Sequence, residues 1–372
     1  MKVTIERSVL LKALGHVHRI VERRNTIPIL ANVLIEAGDG KLALKSTDLD
    51  LEAVESVPAD VGQNGATTVP AHVIYDIVRK LPEGAQASLE TAGDAGQLIL
   101  RSGRSRFTLQ ALPASDFPDL TAGEFSHRFA APAAELKRLI ENTQFAISTE
   151  ETRYYLNGVF LHTVDVGGAP MLRAVATDGH RLARVETPAP EGAIGIPGVI
   201  LPRKAVSEVQ KLLEDMSQDV AIEISTAKAR FRFGDVTLTT KLIDGTFPDY
   251  ARVIPTGNDK RLVVDKEPFE KAVDRVSTLS SERGRAIKLA IAEGKMTLSV
   301  NNPDSGSASE EIEADYDSAP IDIGFNARYL LDIVGQLSSD TALIRLADPG
   351  SPTLIQDREG APALYVLMPL RV

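Results

Sequence analysis

The sequence predicts an α+β protein that consists of three tandem domains of like fold. Three stretches, spaced about one small domain apart, each contain a short alternating strand, a polar break and an amphipathic helix. These stretches are KVTIERSVLLKALGHV from residue 2, RFAAPAAELKRLIENT from residue 128 and RLVVDKEPFEKAVDRV from residue 261. A repeat of this length is too long for a solenoid and fits the size of an independent domain.

A second phrase, again a strand followed by a helix, recurs at a matching depth in each third of the chain. It reads TTVPAHVIYDIVRKLPEG from residue 67, VILPRKAVSEVQKLLEDM from residue 199 and IDIGFNARYLLDIVGQLS from residue 321. The sequences FPDL at 117–120 and FPDY at 247–250 close the first two units. We therefore expect domains at residues 1–122, 127–250 and 251–372, joined where glycine, proline and charged residues cluster.

Each domain is expected to contain two helices that pack on one face of antiparallel strands. In the segments before and after the second helix of each third, apolar and polar residues alternate on both sides of glycine turns, which predicts hairpins. In the first helix, Leu10, Leu14, Val17 and Val21 have the spacing of a buried face, and Ser8 is expected to cap its amino end. The predicted hairpin segments are residues 32–57, 97–112, 157–187, 220–242, 287–302 and 342–357.

The composition of the 372-residue chain limits the classes to which it can belong. With 43% hydrophobic and 25% charged residues, each third can bury a core of its own. The absence of cysteine excludes disulfides, cysteine-ligated metals and a cysteine nucleophile. No apolar run approaches the ~20 residues of a membrane helix, and the first residues lack a signal-peptide core, so we expect a cytoplasmic protein without membrane contact.

The net charge of −10 is unfavourable for a nucleic-acid partner if it is taken alone. The charges are unevenly distributed, however. The first predicted helix and the residues after it are rich in arginine and histidine, whereas acidic residues concentrate in other segments. Two interpretations are compatible with this pattern. One is a protein with basic helices and an acidic exterior, and the other is a protein with an ordinary acidic surface.

The motif closest to a catalytic one is ATDGHRLA, which begins at residue 176. An enzyme that uses Asp178 and His180 in an interdomain cleft is therefore an alternative function, although no nucleophile or second carboxylate accompanies them. His16 and His18 are two residues apart on a helix and point to different faces, so they do not share a metal. No phosphate-binding glycine motif occurs. We expect no catalytic site, no cofactor and no metal.

Several blocks that together span the chain in order resemble the beta subunits of bacterial DNA polymerase III, the replicative sliding clamps. They are SGRSRFTLQALPASDFPDL from residue 102, ETRYYLNGV from 151, ATDGHRLA from 176, KLIDGTFPDY from 241, GFNARYLLDI from 324 and YVLMPLRV from 365. The resemblance implies a ring of two chains, joined head to tail around duplex DNA, with helices inside and sheets outside. It also implies a non-catalytic processivity factor for DNA replication that holds DNA through phosphate contacts.

The resemblance implies a partner-binding groove between the middle and third domains. The groove would bind short peptide motifs of the polymerase alpha subunit, the clamp loader, other polymerases, and mismatch repair and ligase proteins. We expect Leu182, Val253, Val366 and Met368 on its floor and Arg181 and Arg371 at its rim. At Pro352 the chain departs from the small polar residue that is frequent in the family. The implied groove residues are Leu156, Thr177, Gly179, His180, Arg181, Leu182, Pro248, Val253, Asn326, Tyr329, Val366, Met368, Pro369, Leu370 and Arg371.

An arc of three like domains has two unlike ends, so one contact made twice closes a ring of two chains. One end is predicted to offer an edge strand, and the other an acidic surface next to a helix end. The predicted dimer residues are Arg104, Arg106 and Phe107 on the first end, and Thr278, Leu279, Glu310, Glu311 and Glu313 on the second. By resemblance, the DNA-binding residues are Arg24, Arg153, Tyr154, Tyr155 and Lys204. A structural tandem-repeat protein without a DNA role is the third alternative.

Overall fold

The computed structural model describes residues 1–92, 96–120, 123–214, 216–280 and 285–372, so the predicted domain boundary at residue 122 lies outside the described residues. The chain forms two compact units. The first contains Met1–Ala134, Glu191–Ala193 and Ser207–Leu242. The second contains Glu135–Pro190, Ile194–Val206 and Ile243–Val372.

Within the described ranges, each third of the chain contains two α-helices and many short strands, as the repeats predict. The first third contains β1 (Lys2–Glu6), α1 (Arg7–Val17), β2 (Asn32–Gly38), β3 (Lys41–Thr47), β4 (Leu51–Pro58), β5 (Asp60–Gln63), β6 (Gly65–Pro70), α2 (Ala71–Lys80), β7 (Gln86–Ala92), β8 (Gln97–Ser102) and β9 (Ser105–Gln110). The middle third contains β10 (His127–Ala131), α3 (Ala133–Gln144), β11 (Gly158–Val166), β12 (Ala169–Thr177), β13 (Arg181–Pro188), β14 (Val199–Pro202), α4 (Arg203–Leu213), β15 (Val220–Ile224), β16 (Lys228–Phe233) and β17 (Val236–Lys241). The last third contains β18 (Lys260–Asp265), α5 (Lys266–Ser277), β19 (Ala286–Ala292), β20 (Lys295–Asn302), β21 (Gly306–Glu313), β22 (Asp315–Tyr316), β23 (Ile321–Asn326), α6 (Ala327–Val334), β24 (Thr341–Leu346), β25 (Thr353–Gln356) and β26 (Ala363–Leu367).

The first unit contains two antiparallel sheets. The smaller sheet has the strand order β5-β1-β7-β8-β9, so β9 is an edge strand. The larger one has the order β10-β15-β16-β17-β4-β3-β2-β6. This second sheet combines four strands of the middle third with four of the first third, because β17 pairs directly with β4.

The second unit repeats this plan with strands from the middle and last thirds. Its large sheet has the order β14-β11-β12-β13-β26-β25-β24-β18-β22, and its small sheet has the order β21-β20-β19-β23. Here β13 pairs with β26, which is the last strand of the chain. The edge strand β21 ends the small sheet, as β9 does in the first unit.

The sheets therefore continue across the sequence repeats. A sheet edge that meets another sheet edge satisfies its free backbone N–H and C=O groups by pairing with it. As a result, the strands of the middle third are divided between the two compact units. Repeats in the sequence and compact units in the structure consequently have different boundaries.

Helix α1 packs with the predicted face against the sheet, but it begins differently from the prediction. Leu10, Leu14 and Val17 are completely buried, and Val21 is buried although it lies beyond the end of the helix. The prediction of Ser8 as the cap is wrong. The helix follows β1 directly, and Glu6 occupies the cap position without a side-chain cap bond, so Ser8 lies in the first turn and its hydroxyl donates to the Glu6 carboxylate at 2.8 Å.

We predict that Gly158→Ala destabilises the second unit. A β-carbon at this position would lie 2.1 Å from the carbonyl oxygen of Leu201 on the neighbouring strand β14, where backbone cannot move freely. Forced shifts of this kind cost about 1–3 kcal/mol. Urea unfolding followed by circular dichroism should give a lower midpoint than for wild type.

Gly257→Ala is the matched control, because a β-carbon at this exposed glycine meets no atom within 4 Å. Equal midpoints for the two variants would contradict the close approach of β11 and β14.

Candidate functional site

A pocket of about 170 Å³ opens within the second unit, beside the pairing of β13 with β26. Its walls come from the β12–β13 turn, the FPDY segment with the residues that follow it, and the end of β26. The lining residues are Leu156, Thr177, Gly179, His180, Arg181, Leu182, Pro248, Asp249, Tyr250, Val253, Val366 and Met368. Ten of the fifteen predicted groove residues are among them.

The floor of the pocket is apolar and its mouth carries exposed apolar side chains. Leu182 and Val366 are directly opposite each other in the β13–β26 pairing, and both are buried. Val253 and Met368 are 49% and 38% exposed, so their predicted place on the floor is wrong and they lie at the mouth instead. Exposed apolar residues around an apolar pocket are typical of a surface that binds another molecule.

The turn between β12 and β13 is fixed by its own polar side chains. The Thr177 hydroxyl donates to the carbonyl of Arg181 at 2.7 Å and accepts the backbone N–H of Gly179 at 3.1 Å. Gly179 has a φ of +89°, a left-handed conformation that glycine adopts without strain. The guanidinium of Arg153 also approaches so closely that a β-carbon on Gly179 would lie 2.6 Å from it.

Asp178 and His180 do not form a catalytic pair. One oxygen of the Asp178 carboxylate accepts the backbone N–H groups of His180 and Arg181 at 2.9 and 3.0 Å. The other oxygen accepts the guanidinium Nε of Arg181 at 3.1 Å. The carboxylate therefore stabilises the turn, which is the usual role of aspartate in this position.

Arg181 forms an inner wall of the pocket, so its predicted place at the rim is wrong. Its guanidinium donates to Asp332 at 2.5 Å and to the carbonyl of Phe145 at 2.7 Å. The guanidinium carbon also lies 4.2 Å from the centre of the Tyr329 ring. With these partners, the side chain is only 9% exposed.

A polar network behind the pocket holds the ring of Tyr250. Arg173 donates to the Tyr250 hydroxyl at 2.9 Å, so this hydroxyl donates its own proton to Nε2 of His162, which lies 3.0 Å away. Arg173 also donates to Glu186 at 2.8 Å. Burial, and secondarily the charge of Arg173, lowers the pKa of His162 to about 4, which keeps the imidazole neutral and able to accept.

The five other predicted groove residues lie outside this pocket. Asn326 caps α6 by accepting the backbone N–H groups of Arg328 and Tyr329. Tyr329 lies against His180, with ring centres 6.3 Å apart, and both line a neighbouring cavity of about 500 Å³. Leu370 donates its N–H to the carbonyl of Gly324 at 2.8 Å and so pairs with β23. The two remaining residues are Pro369 and Arg371.

Two lining residues, Asp249 and Tyr250, were not among the predicted ones. Both belong to the FPDY phrase, whose recurrence in the chain was the signal that could have identified them. Pro352 does not line the pocket. Its carbonyl accepts the side-chain amide of Asn258 at 2.9 Å, just before β25 begins.

The predicted DNA-binding residues differ in their exposure to solvent and in their contacts with neighbouring residues. Arg24 is exposed in the segment that follows α1, and Tyr154 is 54% exposed. Arg153 donates to Glu150 at 2.8 Å, which offsets part of its charge. Tyr155 packs against the apolar cluster beneath the pocket, and Lys204 is half-buried in the first turn of α4.

The predicted dimer residues lie on or beside the edge strands β9 and β21. Arg104 is in the turn before β9, and Arg106 and Phe107 are in that strand. Glu310, Glu311 and Glu313 are in β21, and Thr278 and Leu279 follow the end of α5. Two of the glutamates have partners in their own chain, since Glu310 accepts from Arg275 at 3.0 Å and Glu311 from Lys295 at 2.9 Å.

Two negative findings apply to the described part of the chain. None of its helices is long and apolar enough to cross a membrane. Within the same ranges, no group of three or more histidine, cysteine or acidic side chains could hold a metal ion.

Family models match all three thirds of the chain. Residues 1–121 match the N-terminal domain of the DNA polymerase III beta subunit, 130–249 match its central domain and 251–371 its C-terminal domain. A beta sliding clamp of Caulobacter vibrioides is 56% identical over 372 residues, and that of Escherichia coli is 40% identical over 373 residues. Both alignments cover the whole of each chain.

Solved structures agree with these sequence matches. A sliding clamp from Bartonella birtlesii bound to griselimycin has a TM-score of 0.97 and 56% identity, with full coverage of both chains. A Caulobacter crescentus clamp with PEG bound to a proposed beta-motif tethering region has a TM-score of 0.98 and 56% identity, covering 100% of this chain and 99% of that one.

We predict that the second unit loses stability as the pH falls from about 6.5 towards 4. The folded pKa of His162 is about 4 and its ordinary value is 6.5, so between these values the unfolded chain binds more protons than the folded one. The contribution of neutral His162 is complete above pH 6.5 and decreases below it. Urea midpoints measured from pH 7.5 to 4.5 should therefore fall less steeply for His162→Gln than for wild type.

Tyr250→Phe serves as the comparison, because it removes the hydroxyl and leaves the imidazole in place. Since burial is the largest cause of the low pKa, this variant should keep most of the wild-type slope. Parallel slopes for wild type and His162→Gln would show that another group controls this range.

Proposed function

The chain belongs to the DNA polymerase III beta subunit family, and from this premise we propose how its surfaces serve a DNA sliding clamp. In this function, the protein encircles duplex DNA and tethers the replicative polymerase, which gives the polymerase processivity. The observation that carries the proposal is the match of all three family domains along the full chain. We assign the domains to residues 1–122, 127–250 and 251–372.

The family is a non-catalytic processivity factor, and no observation favours the enzyme alternative. That alternative depended on Asp178 and His180. The Asp178 carboxylate is occupied by backbone N–H groups and by Arg181, so it is not available to orient an imidazole. The Asp-Gly-His motif instead forms one wall of a binding pocket.

Ring closure is proposed to occur by pairing of β9 of one chain with β21 of the other. Both are edge strands of small sheets, and edge strands carry free backbone groups that a second chain can pair. Arg104 and Arg106 would face an acidic strand, and opposite charges favour one register. Within the described residues Glu313 has no ion-pair partner in its own chain. It is therefore the glutamate best placed to form an ion pair across the proposed β9–β21 contact, here called the seam.

DNA is proposed to be held inside the ring through phosphate contacts without sequence specificity. Arg24 is exposed and can reach a phosphate, and Tyr154 offers an exposed ring beside Arg153. Such contacts are weak and become weaker with salt, so closure of the ring has to supply the long residence time. Bacterial DNA is replicated in the cytoplasm, and we therefore place the protein there.

The pocket is proposed to bind short peptide segments of partner proteins. Its buried apolar floor suits one or two apolar side chains of a short peptide. We assign it to the polymerase alpha subunit, the clamp loader, other polymerases, and mismatch repair and ligase proteins. His180 and Tyr329 would extend the site into the neighbouring cavity, where Arg181 separates the two spaces.

We predict that the protein, once loaded on nicked circular DNA, resists a high-salt wash and leaves when the circle is cut. A topological link survives salt that weakens phosphate contacts, whereas a linear end releases it. The amount of protein that co-elutes with DNA in gel filtration measures this. Retention that is equal on circular and linear DNA would refute the clamp function.

Leu279→Asp is the control for ring closure. It places a charge beside the proposed seam, so light scattering should detect monomers and retention on circles should fall roughly tenfold or more, which corresponds to about 1.4 kcal/mol per tenfold change. A monomeric wild type at micromolar concentration would also contradict the ring.

We predict that Val253→Asp and Met368→Asp each weaken binding of a polymerase peptide at least tenfold. Both side chains are exposed at the mouth, so the changes spare the fold and put a charge where apolar contact supplies affinity. Fluorescence anisotropy of a labelled peptide from the last ten residues of the alpha subunit gives the dissociation constant.

Val166→Asp is the matched control, because Val166 is 43% exposed in the same unit and does not line the pocket. It should bind the peptide as wild type does. Deletion of Met368–Val372 is a less specific test, since it also removes the pairing of Leu370 with Gly324. Undiminished affinity in both aspartate variants would place the peptide elsewhere.

A further inference from the structure

The turn that forms one wall of the pocket has a copy in the first unit, at residues 47–51. The Thr47 hydroxyl donates to the carbonyl of Leu51 at 2.9 Å and accepts the N–H of Leu49 at 3.0 Å. The Asp48 carboxylate accepts the N–H groups of Asp50 and Leu51 at 3.0 and 2.7 Å. These are the same bonds, at the same spacing, that residues 177–181 make in the second unit.

The strand that follows each turn also pairs in the same way. Leu51 is opposite Thr240 in the pairing of β4 with β17, as Arg181 is opposite Leu367 in the pairing of β13 with β26. One residue further, the N–H of Lys241 donates to the carbonyl of Asp50 at 2.8 Å. In the second unit, the N–H of Met368 donates to the carbonyl of His180 at 2.9 Å.

Because the turns and the strand registers correspond, pocket residues in the second unit have equivalent residues in the first unit. The phrases FPDL and FPDY further equate Leu120 with Tyr250. Between the two copies the backbone is maintained while three side chains change from apolar to polar and the glycine of the turn is replaced by leucine. Leu182 corresponds to Glu52, Val366 to Thr239, Met368 to Lys241 and Gly179 to Leu49.

In the first copy, polar side chains from the sheet form hydrogen bonds with the FPDL segment. Glu52 is completely buried, and its carboxylate accepts the N–H of Leu120 at 3.1 Å. On its other side, Leu120 accepts the Lys228 ammonium at its carbonyl, at 2.7 Å. The equivalent Tyr250 is held by its distant hydroxyl instead, which leaves the space over Leu182 open.

An apolar guest is unfavourable in the first copy for electrostatic reasons as well. The second oxygen of Glu52 is buried without a hydrogen-bond partner in the described structure, and burial raises the pKa of this carboxyl. Lys241 pairs with Asp50 at 3.1 Å across the place that Met368 and His180 take in the other copy. An apolar side chain here would displace polar contacts without replacing them.

We propose that the first copy is a closed form of the peptide groove, and that Leu49, Glu52, Thr239 and Lys241 restrict each chain to one peptide. The inference rests on the proposed peptide-binding function of the pocket in the second unit. Exchange of these four residues for their counterparts opens a second site for the same class of ligand, a short segment with apolar side chains.

The test is the stoichiometry of peptide binding in isothermal titration calorimetry. The probe is the alpha-subunit peptide, and the variant combines Leu49→Gly, Glu52→Leu, Thr239→Val and Lys241→Met. Wild type should bind one peptide per chain and the variant two. Addition of Val253→Asp should weaken binding at the site in the second unit at least tenfold in both proteins and leave the affinity of the new site unchanged. Two peptides on wild type, or one on a folded fourfold variant, would overturn the inference.

A wild type that binds no peptide would instead reject the proposed function, which keeps the two failures apart. If the fourfold variant does not fold, the reciprocal exchange in the second unit decides the question. Val366→Thr with Met368→Lys changes one near-isosteric and one exposed side chain, and it should weaken peptide binding at least tenfold. Wild-type affinity in this folded variant would overturn the inference on its own.

Discussion

The groove and the compact units both depend on one constraint, the antiparallel pairing of strands that belong to different sequence repeats. Pairing of β13 with β26 brings Leu182 and Val366 side by side, although they are far apart in the chain. Because side chains alternate between the faces of a sheet, a shift of β26 by one residue would turn Val366 away from the pocket. The register of this one pair of strands therefore decides whether the pocket exists.

The same constraint operates a second time, between β4 and β17, where buried Glu52 takes the position of Leu182. The backbone bonds of the two turns agree, so local geometry alone does not distinguish them. The difference lies in what the neighbouring segment can bond to. Glu52 offers an acceptor to the Leu120 N–H, whereas Leu182 offers none, and Tyr250 is consequently anchored through its ring hydroxyl. Tandem repeats can thus maintain a fold in every copy while one copy specialises.

The sequence could predict the features that depend on local periodicity. The strand–helix phrases and the buried face of α1 could be identified in this way. Most pocket residues were instead implied by the resemblance of continuous motifs to a known family. The burial of Arg181 could not, since it depends on Asp332 and the Phe145 carbonyl, which only the folded chain brings near. The position of Val253 and Met368 at the mouth depends equally on tertiary packing, for which their apolar character is no guide. The division of the middle third between two units follows from edge-strand pairing, which no single repeat encodes.

An open apolar pocket needs polar support that does not enter the pocket itself. In the second unit this support is the chain Glu186–Arg173–Tyr250–His162, in which each group satisfies the next behind the apolar surface. The neutral state of His162 is part of that arrangement, because a protonated imidazole could not accept the Tyr250 hydroxyl. Burial supplies the neutrality, and the hydroxyl in turn keeps the aromatic ring as a wall. Polar groups placed behind such a wall keep the pocket open. A carboxylate placed at the pocket floor, as Glu52 is in the first unit, instead binds the backbone of the neighbouring segment and closes the pocket.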